Sequence, residues 1–226
     1  MNFPSRHPLN LSSNGRQLIG NADVILGLEL TDFWGTVDAF RDSLERSYRS
    51  IIKPGTKLIS INALDLNTKG NYQDFQRFHE VDIAMAADSE ATLPSLVEAV
   101  KKLITSDKRI AFEARGKKYA EMSATARDRS RMDAAYAWDA SPISTARLSA
   151  ELWNQVKNED WAVVSESGNT SEWSHRLWDY NKHYQWIGSS GGAGVGYGAP
   201  AAVGGALAHR KHGRLPITIQ GDGDFM

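Results

Sequence analysis

Short apolar runs alternate with helical patterns along the first half of the chain. Three of these runs have the length and composition of strands buried in a parallel sheet: Ala22–Leu30, Lys57–Ala63 and Val81–Asp88. Residues 37–52 have a helical pattern. After the third run, an apolar stripe over residues 93–104 predicts a helix with Thr92 as its N-cap. Such alternation predicts βαβ units around a parallel sheet.

The second half of the chain starts a new set of elements. Residues 107–140 are highly charged and lack a strand pattern, so they predict a surface helix that connects two domains. A helix opening at Ser141 or Pro142 is predicted next. It is followed by the strand "WAVVS", a Trp-rich stretch expected in the core, a glycine-rich loop, a small-residue helix and a last strand. The predicted domains are residues 1–106 and 141–226, joined by the charged linker 107–140.

Composition narrows the class of protein without identifying it. The chain has 226 residues, a formal net charge of −1 and no cysteine. The near-zero charge gives no reason to expect nucleic acid or a membrane surface as partner, and the lack of cysteine excludes disulfides and thiolate sites. No apolar run is long enough to span a bilayer, and the N-terminus lacks an apolar signal core, so we expect a cytoplasmic protein.

The glycine-rich loop "SSGGAGVGYGAP" is the first candidate for a binding site. Its alternating glycines remove Cβ atoms where the backbone passes close to something bulky. The glycine spacing differs from the dinucleotide-binding fingerprint, and no Gly-Lys-Ser/Thr follows as in a P-loop. The alternative is a flexible loop before a tightly packed helix.

A second candidate is the "GDG" that follows the last strand. Asp222 stands between Gly221 and Gly223 at a strand end, where parallel sheets collect ligands. One carboxylate, backbone carbonyls and phosphate oxygens suit Mg²⁺, which seldom uses a full protein cage. The alternative is an Asp-Gly turn that caps the next helix.

Taken together, "GGAGVGYGAPAAVGGALAHR" and "ITIQGDGDFM" resemble the diphosphate-binding domain of thiamine diphosphate-dependent enzymes, the group of benzoylformate decarboxylase and acetolactate synthase. The resemblance implies that Asp222 binds Mg²⁺ and that Gly221, Gly223 and Asp224 lie at the diphosphate. The family's strand-end loop is matched by "VVSESGN". The resemblance therefore adds the cofactor contacts Ser167, Gly168, Asn169, Gly194 and Val195, the last at the position of the residue that bends the cofactor.

The N-terminal stretch "NFPSRHPLN" resembles a benzoylformate decarboxylase segment that carries an active-site histidine. The match implies that His7 is catalytic and relays protons, a task that suits a group whose pKa lies near neutral pH. The alternative is that His7 is a surface residue in a proline-bounded turn.

The family resemblance also implies an architecture and a reaction. The expected fold is α/β, with two incomplete three-layer αβα domains: a Rossmann-like middle domain and a flavodoxin-like thiamine diphosphate-binding domain. The expected activity is decarboxylation or carboligation of a 2-oxo acid in a homodimer or homotetramer. Thiamine diphosphate and Mg²⁺ are the expected cofactors. Whether the middle domain also binds FAD is left open. Acetolactate synthase-like relatives bind FAD there, but no residue of this sequence argues for it.

The family pattern also needs groups that this sequence does not contain, namely an asparagine downstream of "GDG" and a glutamate in a preceding domain. We therefore expect the chain to be part of a longer protein and to be inactive alone. The alternative function from another class is an αβ module that binds a nucleotide without catalysis, with Asp222 holding a ribose or Mg²⁺.

Overall fold

The structure, a computed structural model, describes residues 3–30, 32–42, 44, 47–63, 79–165, 168–188 and 196–225. It divides into an N-terminal unit, residues 12–113, and a C-terminal unit, residues 1–11 with 114–226. The predicted α/β class with two parallel sheets is confirmed. The division differs from the predicted domain boundaries, because residues up to Leu11 group with the C-terminal unit. No helix in the described ranges is both long and apolar enough to cross a bilayer.

The N-terminal unit is built on a small parallel sheet. A short 3-10 helix (Ser12–Asn14) and α1 (Gly15–Asn21) lead into β1 (Val24–Leu28), and α2 (Phe33–Val37) follows. Two further strands complete the sheet in the order β1-β4-β5, with β4 at Lys57–Asn62 and β5 at Ile83–Ala86. The helix α3 (Ser89–Lys101) comes directly after β5. Phe33, Val37 and Leu58 form the buried core of this unit.

The prediction of a helix over residues 37–52 is wrong. After α2 the chain forms two antiparallel strands, β2 (Asp38–Asp42) and β3 (Ser47–Ser50). The Val37 carbonyl accepts hydrogen bonds from the Ile51 backbone N–H at 2.9 Å and from the Ser50 hydroxyl at 3.2 Å. These pairings fold the chain back on itself, so tertiary pairing overrides the helical propensity of the segment.

Two predicted helix starts also shift. Asp88, and not Thr92, is the N-cap of α3, since its side chain accepts from the Ala91 N–H at 2.8 Å. In the C-terminal unit, the predicted start at Ser141 or Pro142 moves to α5 (Thr145–Val156), with Ser144 as N-cap. The charged segment before it does form a helix, α4 (Ser106–Ala135).

The C-terminal unit contains the second parallel sheet. Its strands are β6 (Trp161–Ser165), β7 (Trp186–Gly188) and β8 (Leu215–Ile219), in the order β7-β6-β8 with β6 in the centre. The helices after these strands are α6 (Gly168–Leu177), α7 (Gly198–Arg210) and α8 (Asp222–Phe225). All strand pairs are parallel, so the start of each of these helices follows the carboxyl edge of the sheet.

Helices cover both faces of this sheet. On one face, Trp161 and Val163 pack with Val156 of α5 and with Trp178 and Tyr180. The rings of Trp161 and Trp178 lie edge to face at 5.4 Å, which confirms the predicted core position of Trp178. On the other face lies α7, where a Cβ on Gly205 would come within 3.0 Å of the Ile187 side chain. The sheet and its helices therefore form three layers.

A charged cluster joins the amino ends of the three strands. Asp160, just before β6, accepts hydrogen bonds from the Tyr184 hydroxyl at 2.6 Å, the Lys182 ammonium at 3.0 Å and Arg214 Nε at 3.3 Å. Tyr184 and Lys182 precede β7, and Arg214 precedes β8. The bond from Tyr184, followed by that from Lys182, lowers the pKa of Asp160 to about 2.

The Trp161 side chain is expected to be essential for stability. Trp161 is 1% exposed, and Trp161→Ala removes contacts to three other aromatic rings. We expect the free energy of unfolding to fall by about 3–5 kcal/mol, as for other large-to-small core changes. The control Tyr136→Ala alters a residue that is 84% exposed and should have little effect. Equal losses for the two variants in urea unfolding would contradict the assignment.

The Asp160 cluster predicts a pH dependence of stability. Its folded pKa of about 2 lies below the ordinary 3.8, so its contribution is fully present above that value and is lost as pH falls toward 2. Asp160→Asn should therefore destabilise the protein at neutral pH, and the difference from wild type should shrink below about pH 4. Urea unfolding at several pH values measures this. Asp128→Asn, at an exposed carboxylate on α4, is the control. The prediction would be refuted if the difference in the free energy of unfolding between wild type and Asp160→Asn did not change with pH.

Candidate functional site

The parallel order of the C-terminal sheet places at one edge the three strand ends that precede the predicted cofactor motifs. The last residues of β6 and β8, Ser165 and Ile219, are register partners, and Val164 is the partner of Gly188 in β7. The "SGN" loop, the glycine-rich loop and "GDG" each follow one of these strand ends. Ligands of open α/β sheets collect at such edges.

Asp222 is the exposed first residue of α8. Gly221 before it is half-buried, and Gly223 after it is exposed. A Cβ on Gly223 would meet no atom of the described residues within 4 Å, so these residues leave open space beside this backbone. The arrangement presents a carboxylate next to free space at the strand end. Asp224 lies in the same short helix.

The side chain of Gln220 adds an unpaired acceptor to this edge. Its Oε1 atom is buried and has no hydrogen-bond partner in the described part of the chain. Gln220 follows Pro216 and Thr218 in the alternation of β8, and these two residues face α7. A buried oxygen without a donor is costly and rare in folded proteins, so it indicates a position where a ligand or water completes the pairing.

The start of α7 receives no side-chain cap from its own N-cap residue. Its N-cap residue is Tyr197, whose side chain makes no capping hydrogen bond. Free N–H groups at a helix start attract anions. Together with Asp222 and Gln220, this edge supplies an exposed carboxylate and an unpaired amide oxygen, both of which are oxygen ligands that suit a hard metal ion, as well as N–H donors. That set fits a diphosphate bound with Mg²⁺.

Other predicted cofactor contacts can be placed only in part. Gly168 and Asn169 open α6 directly after β6 and so lie at this edge. Ser167, Gly194 and Val195 lie outside the described residues. Their roles stay predictions.

His7 lies at the other edge of the sheet. Ser5 and Tyr180 exchange hydrogen bonds, with Ser5 N–H to the Tyr180 carbonyl at 2.8 Å and Tyr180 N–H to the Ser5 hydroxyl at 2.9 Å. Tyr180 packs on Trp161, the first residue of β6, with ring centroids 5.2 Å apart. The segment of His7 is therefore fixed at the amino edge, and within this unit it is not brought together with Asp222.

The His7 ring is exposed and has a defined hydrogen-bond pattern. Its Nδ1 accepts from the Leu9 backbone N–H at 3.0 Å, so the neutral ring carries its proton on Nε2. Phe3 packs edge to face against it at 4.8 Å. Its catalytic role stays a prediction, and any such role would be exerted through Nε2.

No three His, Cys, Asp or Glu side chains in the described ranges are grouped so that they could hold a metal by themselves. Mg²⁺ commonly completes its coordination with phosphate oxygens, backbone carbonyls and water, so a single carboxylate such as Asp222 suits it. Gln220 was missed by sequence reasoning. Its signal was a polar residue at the end of an apolar strand, directly before "GDG".

Comparison with protein families now bears on the same residues. Residues 166–226 match the family model described as "Thiamine pyrophosphate enzyme, C-terminal TPP binding domain". Residues 166–226 are therefore similar to the cofactor-binding domain of thiamine pyrophosphate enzymes. This confirms the resemblance inferred from the glycine-rich loop and "GDG", and it supports thiamine diphosphate as the cofactor bound by this domain.

Curated relatives agree with this assignment. The chain is 35% identical over 66 residues to acetolactate synthase 3, chloroplastic, of Brassica napus, which is 29% of this chain and 10% of the relative. It is 36% identical over 76 residues to acetolactate synthase 2, chloroplastic, of Zea mays, which is 34% of this chain and 12% of the relative. The matches thus cover only about a tenth of these relatives.

A solved structure resembles the fold over the whole chain. It is a Mycobacterium smegmatis protein provisionally assigned as a thiamin diphosphate-dependent enzyme, with a TM-score of 0.55 and 19% identity. The match covers 100% of this chain and 38% of that one. At this level of identity the likeness concerns the fold alone.

Replacement of Gln220 by Met should stabilise the protein without a ligand. Gln220→Met keeps the approximate size and removes the unpaired Oε1, so we expect the free energy of unfolding to rise by about 1 kcal/mol. The matched control is Gln185→Met. Gln185 is buried, and its Oε1 accepts from the N–H groups of Asn181 and Lys182 at 2.7 and 3.0 Å. That variant should lose about 1–3 kcal/mol, because it leaves two donors unpaired. A loss for both variants would refute this account of Gln220.

Proposed function

We propose that this chain supplies the diphosphate-binding half of a Mg²⁺- and thiamine diphosphate-dependent enzyme that decarboxylates or ligates 2-oxo acids. The observation that carries the proposal is that the three strands preceding the motif loops end at one sheet edge, where Asp222 is exposed. The family match over residues 166–226 supports the cofactor. The reaction class is proposed from the acetolactate synthase relatives.

Each group at the edge has a physical task in this proposal. Asp222 binds Mg²⁺, and the open space beside Gly223 lets phosphate oxygens reach the same ion. Asn169 and Asp224 contact the diphosphate from the starts of α6 and α8. Thiamine diphosphate, when bound, supplies the carbanion chemistry, and the chain contributes binding and orientation.

Two residues act on the reacting end in this proposal. Val195 supports the bent cofactor conformation, which makes proton removal intramolecular. His7 moves protons to and from the substrate through Nε2, the nitrogen left free by the Leu9 contact. Because the segment of His7 is fixed at the amino edge of its own sheet, we propose that it serves a site in another subunit of a homodimer or homotetramer.

Binding of the metal–diphosphate pair tests the proposal directly. Mn²⁺ can replace Mg²⁺ and broadens nearby amide signals in NMR spectra of the full chain. In the presence of thiamine diphosphate, we expect broadening of Gly221, Gly223, Gly168 and Asn169. Asp222→Asn should weaken Mn²⁺ binding by at least about tenfold, since loss of even outer-shell groups costs that much.

The control for this experiment is Asp139→Asn, which removes an exposed carboxylate of the same unit that is bonded to Arg147. It should leave the broadening unchanged. If Mn²⁺ broadened the same amide signals equally in Asp222→Asn and in the wild type, the metal assignment would be contradicted. Saturable binding of ATP or NAD at the same amides, with none of thiamine diphosphate, would instead support the non-catalytic nucleotide-binding module.

A further inference from the structure

The N-terminal unit contains a carboxylate in an unusual position at the carboxyl edge of its sheet. Glu29 follows β1 and adopts a left-handed backbone conformation with φ of 49°. A non-glycine residue rarely adopts this conformation, and it persists only where surrounding contacts hold it. The Glu29 backbone N–H donates to the Ile61 carbonyl at 2.9 Å, which fixes the turn against β4.

The Glu29 side chain reaches across the ends of all three strands. One carboxylate oxygen accepts from the Ser89 N–H at 3.0 Å, and the other accepts from the Ala63 N–H at 3.3 Å. Ala63 follows β4, and Ser89 is the first residue of α3 after β5. These bonds, led by that from the Ser89 backbone, hold the pKa of Glu29 below its ordinary value.

Backbone N–H groups at the start of α3 therefore already donate to carboxylates of the same chain. Glu29 takes the Ser89 N–H, and the N-cap Asp88 takes the Ala91 N–H at 2.8 Å. Glu90 adds a third carboxylate in the same turn. The connection from β5 to α3 is Ala87-Asp88, without a glycine that would let a phosphate approach the backbone. A site of this kind repels anions.

This matters because dinucleotides bind Rossmann-like sheets at the same place. Their diphosphate lies on the N–H groups of a helix start at the carboxyl edge, next to a glycine-rich turn. The family resemblance leaves FAD open for the domain that contains this sheet. In this chain, the carboxylates of Glu29 and Asp88 already accept from N–H groups at the start of α3, a helix start of this kind.

We infer that Glu29 is a built-in anion that excludes the diphosphate of FAD, and of dinucleotides generally, from the N-terminal unit. Glu29 is then a residue that determines cofactor selection, and the parent enzyme works without flavin in this domain. The inference stands independently of the function proposed for Asp222, which lies in the other unit. The competing interpretation is that Glu29 binds a ribose hydroxyl of a dinucleotide, as acidic residues at strand ends do in such folds.

Amide NMR of the full chain tests the inference at the site itself. FAD and inorganic pyrophosphate are titrated separately while the Ser89 and Ala63 signals are followed. In the wild type we expect neither probe to shift these signals. In Glu29→Gly, pyrophosphate should shift the Ser89 signal saturably. The variant removes the carboxylate. Because glycine readily adopts the positive φ of this position, the substitution does not strain the backbone.

The matched control is Glu90→Gln, which removes a carboxylate of the same helical turn that makes no hydrogen bond to Ser89 or Ala63. It should behave as the wild type. A second measurement needs no variant: as pH falls, the wild-type Ser89 amide should report a carboxyl titration below the usual range for glutamate. Shifts of the Asp222 amide signal report pyrophosphate binding at the C-terminal unit, and so distinguish it from binding at Ser89.

Three outcomes would overturn the inference. The first is a saturable shift of the wild-type Ser89 signal by FAD. The second is a folded Glu29→Gly variant whose Ser89 amide signal does not shift when pyrophosphate is added. The third is FAD binding that is present in the wild type and lost in Glu29→Gln, which would establish the ribose interpretation instead.

Discussion

Backbone hydrogen bonds hold β6 between β7 and β8, and all three strands run parallel. Because each strand must return through a crossover, every connection that leaves a strand end starts at the same edge. Three strand ends that are far apart in sequence are therefore neighbours there. The pairing of Ser165 with Ile219 puts the residues before α6 and α8 side by side, and any function of the edge depends on it.

The two edges of that sheet differ in how their polar groups are satisfied. At the amino edge, Asp160 accepts three side-chain hydrogen bonds, and the amide oxygen of Gln185 accepts two. At the carboxyl edge, the buried oxygen of Gln220 has no partner among the described residues, and the N-cap residue of α7 makes no side-chain cap. The buried amide oxygens of the two glutamines thus differ: that of Gln185 is paired and that of Gln220 is not. Such local cost is typical of a binding site. The sheet of the N-terminal unit shows the opposite arrangement, since Glu29 satisfies its carboxyl edge from within.

The predicted strands all formed, but the burial expected for the run Val81–Asp88 is wrong, because every residue of β5 is exposed, and β1 is also mostly exposed. The apolar runs around Leu58 and Val163 became buried strands, because a short β-branched run flanked by turns has few other stable arrangements. The helix expected over residues 37–52 became a hairpin, because the pairing of Val37 with Ile51 is nonlocal and leaves no periodic signal. The observed N-caps Asp88 and Ser144 lie only a few residues from the predicted helix starts. A difference of this size is usual for helix boundaries.

The sequence alone determined the α/β class, the glycine-rich loop and the "GDG" motif, because these are local in the chain. These motifs carry the resemblance to thiamine pyrophosphate enzymes that the family match over residues 166–226 supports. Only the tertiary structure decided which edge each residue occupies: His7 at the amino edge, Gln220 unpaired beside Asp222, and Glu29 across three strand ends. These positions depend on strand order and on contacts between distant segments. Such contacts are not encoded in any single stretch of residues.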